Sequence, residues 1–342
     1  LLKFVHNGRI HAEINQIRSE KGGTVTGRFS MSRPNLQQIP SRGKYGNIIR
    51  SFFLPEEGQE WGSFDYSQQE PRLVVHYALK NKFYGAEGLA EAYKKNPNTD
   101  FHAMISKMAK ITRTQAKTIN LGLFYGMGKT KLAASLELDS SESKELFDQY
   151  HKEVPFVREL SNGLMRFAEK NKSIFTLEDR FCRFDKWEPK NKEWDREKGI
   201  FTYTEYVEKE VDGKITKEIE HNPVPIMTRK QALDHYLANR SRSLAKQDPH
   251  CKEFEEFYRP AFTYKALNRL IQGSAADMTK KAMVLLYRKG ILPHIQIHDE
   301  LCISVENKDQ ATQIKEVMEK AIILLIPNKV NYKKGSNWGN IK

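Results

Sequence analysis

Three acidic positions and one row of residues at regular spacing carry most of the chemistry legible in this chain. Asp65 ends the apolar stretch WGSF, and the dipeptide Asp299-Glu300 sits where a second apolar stretch, HIQIHDELCISV, bends. Carboxylates on adjacent strand ends can hold hard cations such as Mg²⁺, which take oxygen ligands and keep waters for a substrate phosphate. Two such ions ~3.5 to 4 Å apart stabilise both the attacking and the leaving oxygen of a phosphoryl transfer. A lone Asp65 reads as a turn or cap residue; the second acidic pair is what favours a metal site. Arg113, Lys117, Leu121 and Tyr125 follow one another at intervals of four. On a helix they drift by only ~40° per step and share one broad face. Cations in the first turns, where the helix dipole and free amides favour anions, suit a polyphosphate. Tyr125, further along, is placed to stack on a base, while Gly122 and Gly126 permit close approach. The competing reading of this segment is an amphipathic helix with solvated cations and a tyrosine at the edge of a core.

Two further positions are read locally. Ser67-Gln68-Gln69-Glu70 fits a capping box, with Ser67 as cap and Glu70 reaching back to its amide, which does not prevent Glu70 from facing a ligand. His102, preceded by Thr99-Asp100, reads by itself as a capping or surface histidine.

The elements that must position these groups follow from periodicity. WGSFDYSQQEPRLVVHYAL predicts a short strand ending near Phe64, a turn, and a helix from about Gln68. After the turn cluster KKNPNT, helical periodicity runs through FHAMISKMA and again through RTQAKTINLGLFYG. Residues 140–171 supply two more amphipathic helices separated at Pro155. From about Arg180 to Lys252 the text turns to dense mixed charge with tryptophans, and Asp212-Gly213 between alternating segments is a hairpin signal. This region reads as a surface insertion. A helix resumes in TYKALNRLIQGSAADMTKKAMVLLYRK, HIQIHDELCISV reads as a strand pair bent at His298-Asp299, and a final helix covers roughly Asp309 to Leu325. No internal repeat or low-complexity tract is visible.

Bulk properties bound the function. The 342 residues carry a formal charge of +13, which attracts polyanions such as nucleic acid or an anionic membrane. Cys182, Cys251 and Cys302 fit no metal or disulfide framework, so a reducing, intracellular compartment is the simplest inference. No run approaches the ~18 to 20 apolar residues that span a bilayer, and LLKFVHNGRIHAEI lacks the organisation of a signal peptide. The abrupt start is expected of a fragment of a longer protein.

Together these segments resemble the family A (Pol I-like) DNA polymerases. TGRFSMSRPNLQQIP is similar to the family's TGR…PNLQNIP segment, DYSQQEPR to motif A (DYSQIELR), and RTQAKTINLGLFYG to motif B (RxxxKxxNFGxxYG). LNRLIQGSAAD is similar to its NxxxQGxAAD helix and IHDELCISV to motif C (VHDE). The five occur in family order from about Thr26 to Val305. The resemblance implies a template-directed DNA polymerase, a nucleotidyltransferase of DNA replication or repair, with two Mg²⁺ ions for which Mn²⁺ can substitute. Asp65 and Asp299 would carry the metals, with the Tyr66 carbonyl as a further ligand; Glu300 would assist near the primer end and Lys117 would join the catalytic set. Arg113, Lys117 and His102 would hold the triphosphate, Tyr125 would close over the nascent pair, and Glu70 would exclude a ribose 2′-hydroxyl. Gln68 and Leu121 fall among the nucleotide-contacting positions. Arg28, Asn35, Gln37, Arg42, Asn268, Gln272 and His298 match positions that contact primer, template or minor groove, where acceptors are nearly common to all base pairs.

The implied fold is a mixed α/β right hand with an antiparallel palm sheet and helical fingers. Residues 1–80 would be palm, 81–254 fingers with the charged insertion near 180–252, and 255–342 the rest of the palm. A thumb and any 3′→5′ exonuclease domain would lie before residue 1, so this portion alone would bind primer-template weakly and lack proofreading. Expected partners are primer-template DNA and deoxynucleoside triphosphates, with no membrane, in the cytoplasm of a bacterium or phage-infected host; the sequence names no processivity partner. Departures from the family are Leu121 for an aromatic, Gln69 and Pro71 for aliphatic residues, and Tyr264-Lys265 where many relatives have an arginine. The insertion and the short spacing from His102 to Arg113 lean toward a bacteriophage-type member. A single-subunit RNA polymerase shares the aspartates and the Arg/Lys/Tyr helix, but Glu70 disfavours a ribonucleotide; a non-catalytic DNA-binding relative has no need of both aspartates and Lys117.

Overall fold

The computed structural model describes residues 1–19, 22–40, 43–125, 129–195, 197–211, 214–238 and 254–342. They form a mixed α/β fold in two compact units, the first of residues 1–163, 175–182 and 267–342, the second of residues 164–174 and 183–266. No helix among the described residues is long and apolar enough to cross a membrane.

The first unit is built around a four-stranded antiparallel sheet. Glu60–Tyr66 (β1) lies between Glu300–Val305 (β3) and Val330–Gly335 (β4), and Ile295–Ile297 (β2) adds to the far edge of β3. Side chains alternate between the two faces of β1. Phe64 stacks on its cross-strand partner Tyr332 at 4.7 Å, and the Tyr66 hydroxyl donates to the Met318 carbonyl at 2.6 Å, so that face is covered by Lys308–Lys320 (α5). The opposite face starts at Trp61, stacked on Trp338 at 6.0 Å in a core with Leu36, Ile295 and Cys302, and ends at Asp65. β1 runs two residues beyond the expected end at Phe64, because Tyr66 N–H still pairs with the Asp299 carbonyl.

Gln69–Lys80 (α1) follows the sheet's central strand and is almost wholly buried from Leu73 to Ala78. It packs on Ala266–Tyr287 (α4): the Gln69 amide donates to the Ala275 carbonyl at 3.3 Å, and the Tyr77 and Ser274 hydroxyls are 2.7 Å apart. Phe101–Ala109 (α2) and Arg113–Phe124 (α3) come next, then helices Ser140–Glu153 and Pro155–Asn171, the latter opening on its proline. Proline suits that first position, where its missing N–H would have had no intrahelical partner. α5 stops at Lys320, five residues short of the expected Leu325. The Asn328 side chain donates to the carbonyls of Glu319 and Ile322 at 2.9 Å each, closing the helix end, and the chain then buries Leu324 and Ile326.

The second unit holds the mixed-charge region from Arg183 onward. Lys186–Pro189 is the central strand between Met227–Thr228 and Tyr258–Pro260, over a core of Trp187, Ala232, Tyr236, Phe254 and Tyr258. A second sheet pairs Ile200–Val211 with Lys214–Pro223 and Lys192–Asp195. Val211 and Lys214 are opposite each other; the expected turn at Asp212-Gly213 lies outside the described residues, as does Cys251.

Candidate active site

The sheet brings the acidic positions together. Glu300 is the cross-strand partner of Asp65, and Asp299 occupies the bend between β2 and β3, after His298 with φ +55°. Burial, then the neighbouring Asp299 and Glu300, push the Asp65 carboxyl up; Lys333, on the adjacent strand, pulls the other way. Asp299 is likewise raised, first by burial, with Arg28 opposing. Glu300 is the third charge of this group, and its Oε1 accepts from the Ser63 hydroxyl at 2.5 Å and the Cys302 thiol at 3.5 Å.

This donor set fits a divalent hard cation. Crowded carboxylates whose pKa values stay raised despite Lys333 and Arg28 are relieved by a metal, and two carboxylates with the Tyr66 carbonyl would leave coordination positions for water and phosphate. Among the described residues no group of three or more His, Cys, Asp or Glu side chains is arranged around one ion position.

α3 presents the regularly spaced row away from the core. Ala116, Ile119, Asn120, Gly122 and Phe124 are buried, Leu121 is half-buried, and Arg113, Lys117 and Tyr125 are exposed. Thr112 and Gln115 form a capping box, which frames the first turn where Arg113 stands. Arg113 is paired with Asp100 at 2.6 Å, and Asp100 also caps α2 through Ala103 N–H at 3.1 Å. His102 is neither a cap nor a surface residue: it is buried, with Nδ1 3.3 Å from the Asn120 amide nitrogen, and Asn120 accepts from the Tyr150 hydroxyl at 2.5 Å. Burial lowers its pKa.

The capping box expected at Ser67–Glu70 does not form. Gln68 occupies the cap position of α1 in the left-handed region, φ 51°, with no side-chain cap. Its amide instead receives Phe101 N–H at 2.9 Å and donates to the Thr99 carbonyl at 3.0 Å, so it ties α1 to the start of α2. Glu70 has stronger partners than a helix amide: Arg28 at 2.7 Å and the Tyr125 hydroxyl at 2.9 Å. Burial and this carboxylate push the Tyr125 phenol up to about 12, so it stays a donor.

The remaining positions divide in two. Asn35 caps the turn Leu36–Gln38, and Gln37 donates to Gln296, whose own amide donates to the His298 carbonyl at 2.5 Å. Arg28, Lys280, Gln296 and His298 line one small recess. Asn268 and Gln272 lie one turn apart on α4, both half-buried; Arg42 lies outside the described residues. Sequence reasoning missed the residues that hold these groups in place. Ser63, two residues before Asp65 on the same face of β1, carried a period-2 signal. Arg72 and Gln296 act on backbone carbonyls remote in sequence and carried none.

Comparison with known proteins places this geometry. The family model for DNA polymerase family A matches residues 1–200 and 222–340. A DNA-directed DNA polymerase of Pseudomonas phage M6 is 31% identical over 98% of this chain and 47% of its own length, and DNA polymerase I of Caldicellulosiruptor bescii is 30% identical over 98% and 33%. The chain therefore spans half or less of these relatives. Among solved structures, the POL domain of Pol1 from M. smegmatis, in complex with DNA primer-template and dNTP, superposes with a TM-score of 0.67 at 25% identity, covering 99% of this chain and 50% of that one. The family model's match over nearly the whole chain, with relatives 30 to 31% identical across it, means that this protein belongs to DNA polymerase family A.

Proposed function

We propose that this chain is the catalytic portion of a DNA-directed DNA polymerase, adding deoxynucleotides to a primer 3′-hydroxyl with pyrophosphate as leaving group. The observation that carries the reading is the convergence of Asp65 and Asp299 at adjacent strand ends, alongside Glu70 fixed by Arg28 and Tyr125. In this reading residues 1–80 and 255–342 are the palm, and 81–254 the fingers with their insertion. Asp65 and Asp299, with the Tyr66 carbonyl, would hold Mg²⁺. Bound there, the ions would supply Lewis-acid neutralisation of phosphoryl charge.

The chain's own residues do the rest by placement and charge, since phosphoryl transfer needs little covalent help from protein. Arg113 and Lys117 receive the triphosphate at the start of α3, with His102 behind them, and Arg113 exchanges its Asp100 partner for phosphate. Tyr125 and Leu121 face base and sugar. Glu70, held from two sides, meets a ribose 2′-hydroxyl with a carboxylate that has no room to retreat, which favours a deoxyribose over a ribose substrate. Asn268, Gln272, Gln37 and His298 face the primer-template.

Primer extension on a defined template with Mg²⁺ tests this, comparing the parent with Asp299→Asn and Asp65→Asn. Extension by deoxynucleotides in the parent and its loss by about three orders of magnitude in both variants is expected, the scale typical of removing a transition-state electrostatic partner. Equal extension with ribonucleotides would overturn the DNA reading in favour of an RNA polymerase.

A further inference from the structure

Arg180 stands where the sequence turns to mixed charge and reads as the first residue of the insertion. The structure assigns it elsewhere: segment 175–182 belongs to the unit that contains the active-site sheet. Its guanidinium lies between two motif segments that are more than two hundred residues apart in sequence. Nε donates to the Asp277 carboxylate at 2.9 Å, and Nη2 donates to the Thr26 carbonyl at 2.9 Å and the Gly273 carbonyl at 3.0 Å. Asp277, almost fully buried, also accepts from Glu178 N–H.

Two glycines make room for this group. A Cβ on Gly27, which has φ +79°, would stand 2.6 Å from Arg180 Nη1; a Cβ on Gly273 would meet Thr176 at 2.7 Å and Arg180 Nη2 at 3.2 Å. The turn so held continues directly into Arg28, whose carbonyl accepts from the Thr24 hydroxyl and whose guanidinium reaches Glu70 at 2.7 Å.

We propose that Arg180 is a positioning residue for sugar selection. It locks the Thr24–Arg28 turn onto α4, so that Arg28 is held against Glu70 and Glu70 in turn stays fixed for Tyr125. A planar fork suits this task, since it bonds a carboxylate and two carbonyls at once, which a lysine ammonium on a flexible stem cannot reproduce. The proposal rests on the polymerase reading above.

A double-mutant cycle tests it. The ratio of deoxy- to ribonucleotide incorporation (kcat/KM for each) is measured for the parent, Arg180→Ala, Arg28→Ala and the double variant. Arg28→Ala is expected to lower the ratio about tenfold and Arg180→Ala by three- to tenfold, with the double variant no lower than Arg28→Ala alone, because residues acting through one another are non-additive. Arg180→Lys should fold where Ala does not, and should lower the ratio by a smaller factor. Multiplying factors, or a ratio unchanged in both Arg180 variants, overturns the proposal. Hydrogen exchange of the 24–30 amides gives a reading without catalysis: faster exchange in Arg180→Ala and Arg180→Lys is expected, and unchanged exchange sinks the positioning role even if the parent extends no primer. Failure of the parent to extend a primer would refute the polymerase reading instead.

Discussion

Replacing Arg72 sets two large effects against each other, and the structure decides between them. Arg72 is 1% exposed, and among the described residues it forms no ion pair, with Glu319 the one carboxylate that acts on its charge from further off. It donates to three backbone carbonyls, Ser67 at 2.7 Å, Pro327 at 2.6 Å and Pro97 at 2.5 Å, and lies 4.4 Å from the Tyr93 ring centroid. Burial lowers its pKa, so the charge is paid for in desolvation. Arg72→Met keeps most of the volume and relieves that penalty, an exchange that leaves some buried ion pairs neutral or more stable. Here the acceptors stay behind. Three orphaned carbonyls cost ~1 to 3 kcal/mol each, and the lost cation–π contact up to ~2 kcal/mol. Recovered desolvation of several kcal/mol offsets part of this, so a net loss of about 3 kcal/mol is expected. Urea unfolding followed by tryptophan fluorescence reads it, since Trp61 and Trp338 lie in the same unit as Arg72. The carbonyls belong to the end of the active-site strand, the approach to α2 and the loop after α5, so amides there should exchange faster as well. A Met variant as stable as the parent would refute the reasoning, because desolvation relief would then outweigh the orphaned carbonyls.

Three other outcomes follow from contacts already described. Tyr125→Phe removes one of the two anchors of Glu70; a partly exposed bond to a charged acceptor is worth ~1 kcal/mol, so deoxy- over ribonucleotide preference should fall about three- to tenfold, and further in Glu70→Ala. Leu121→Phe and Leu121→Tyr should change the dideoxy-to-deoxy incorporation ratio and raise the rate by restoring a ring surface at the sugar; unchanged ratios and rates in both would leave Leu121 a spacer. His76, buried and accepting from Leu325 N–H at 3.1 Å, has its pKa lowered to about 4 by burial and by Lys80. The unfolded chain then binds the proton first, so stability held above pH 6.5 is lost as pH falls toward 4, at no more than ~1.4 kcal/mol per pH unit; the difference between parent and His76→Asn in pH-dependent urea midpoints isolates it.

The elements that position the site were legible where a local period carries them. β1 could be read because its apolar alternation ends in an acid, and the β2–β3 bend because His298-Asp299 interrupts a second alternation. α3 could be read because its polar row keeps a four-residue interval while Ala116, Ile119 and Asn120 fill the other side. Boundaries failed where a distant group intervenes. The run Ala321–Ile326 continues the apolar content of α5, and nothing within it shows that Asn328 will cap the helix at Lys320.

The same distinction separates the site's acids and cations from what holds them. Ser67-x-x-Glu70 is a sound local pattern, yet Glu70 is taken by Arg28, 42 residues away, and by Tyr125, 55 residues away. A charged or phenolic donor outcompetes a helix amide that water can also satisfy. His102 looks like a cap from its neighbours, but Asp100 takes that role and Asn120 draws the imidazole inward. In each case spacing gave only a local cap reading, while the partners these side chains take depend on elements brought together by the packed sheet and helices. In the proposal above, selection at the sugar is a property of a chain of contacts, from Arg180 through the 24–28 turn and Arg28 to Glu70 and Tyr125, and not of the carboxylate alone. A substitution far from the nucleotide should alter discrimination whenever it loosens one link, and should leave it intact when it does not.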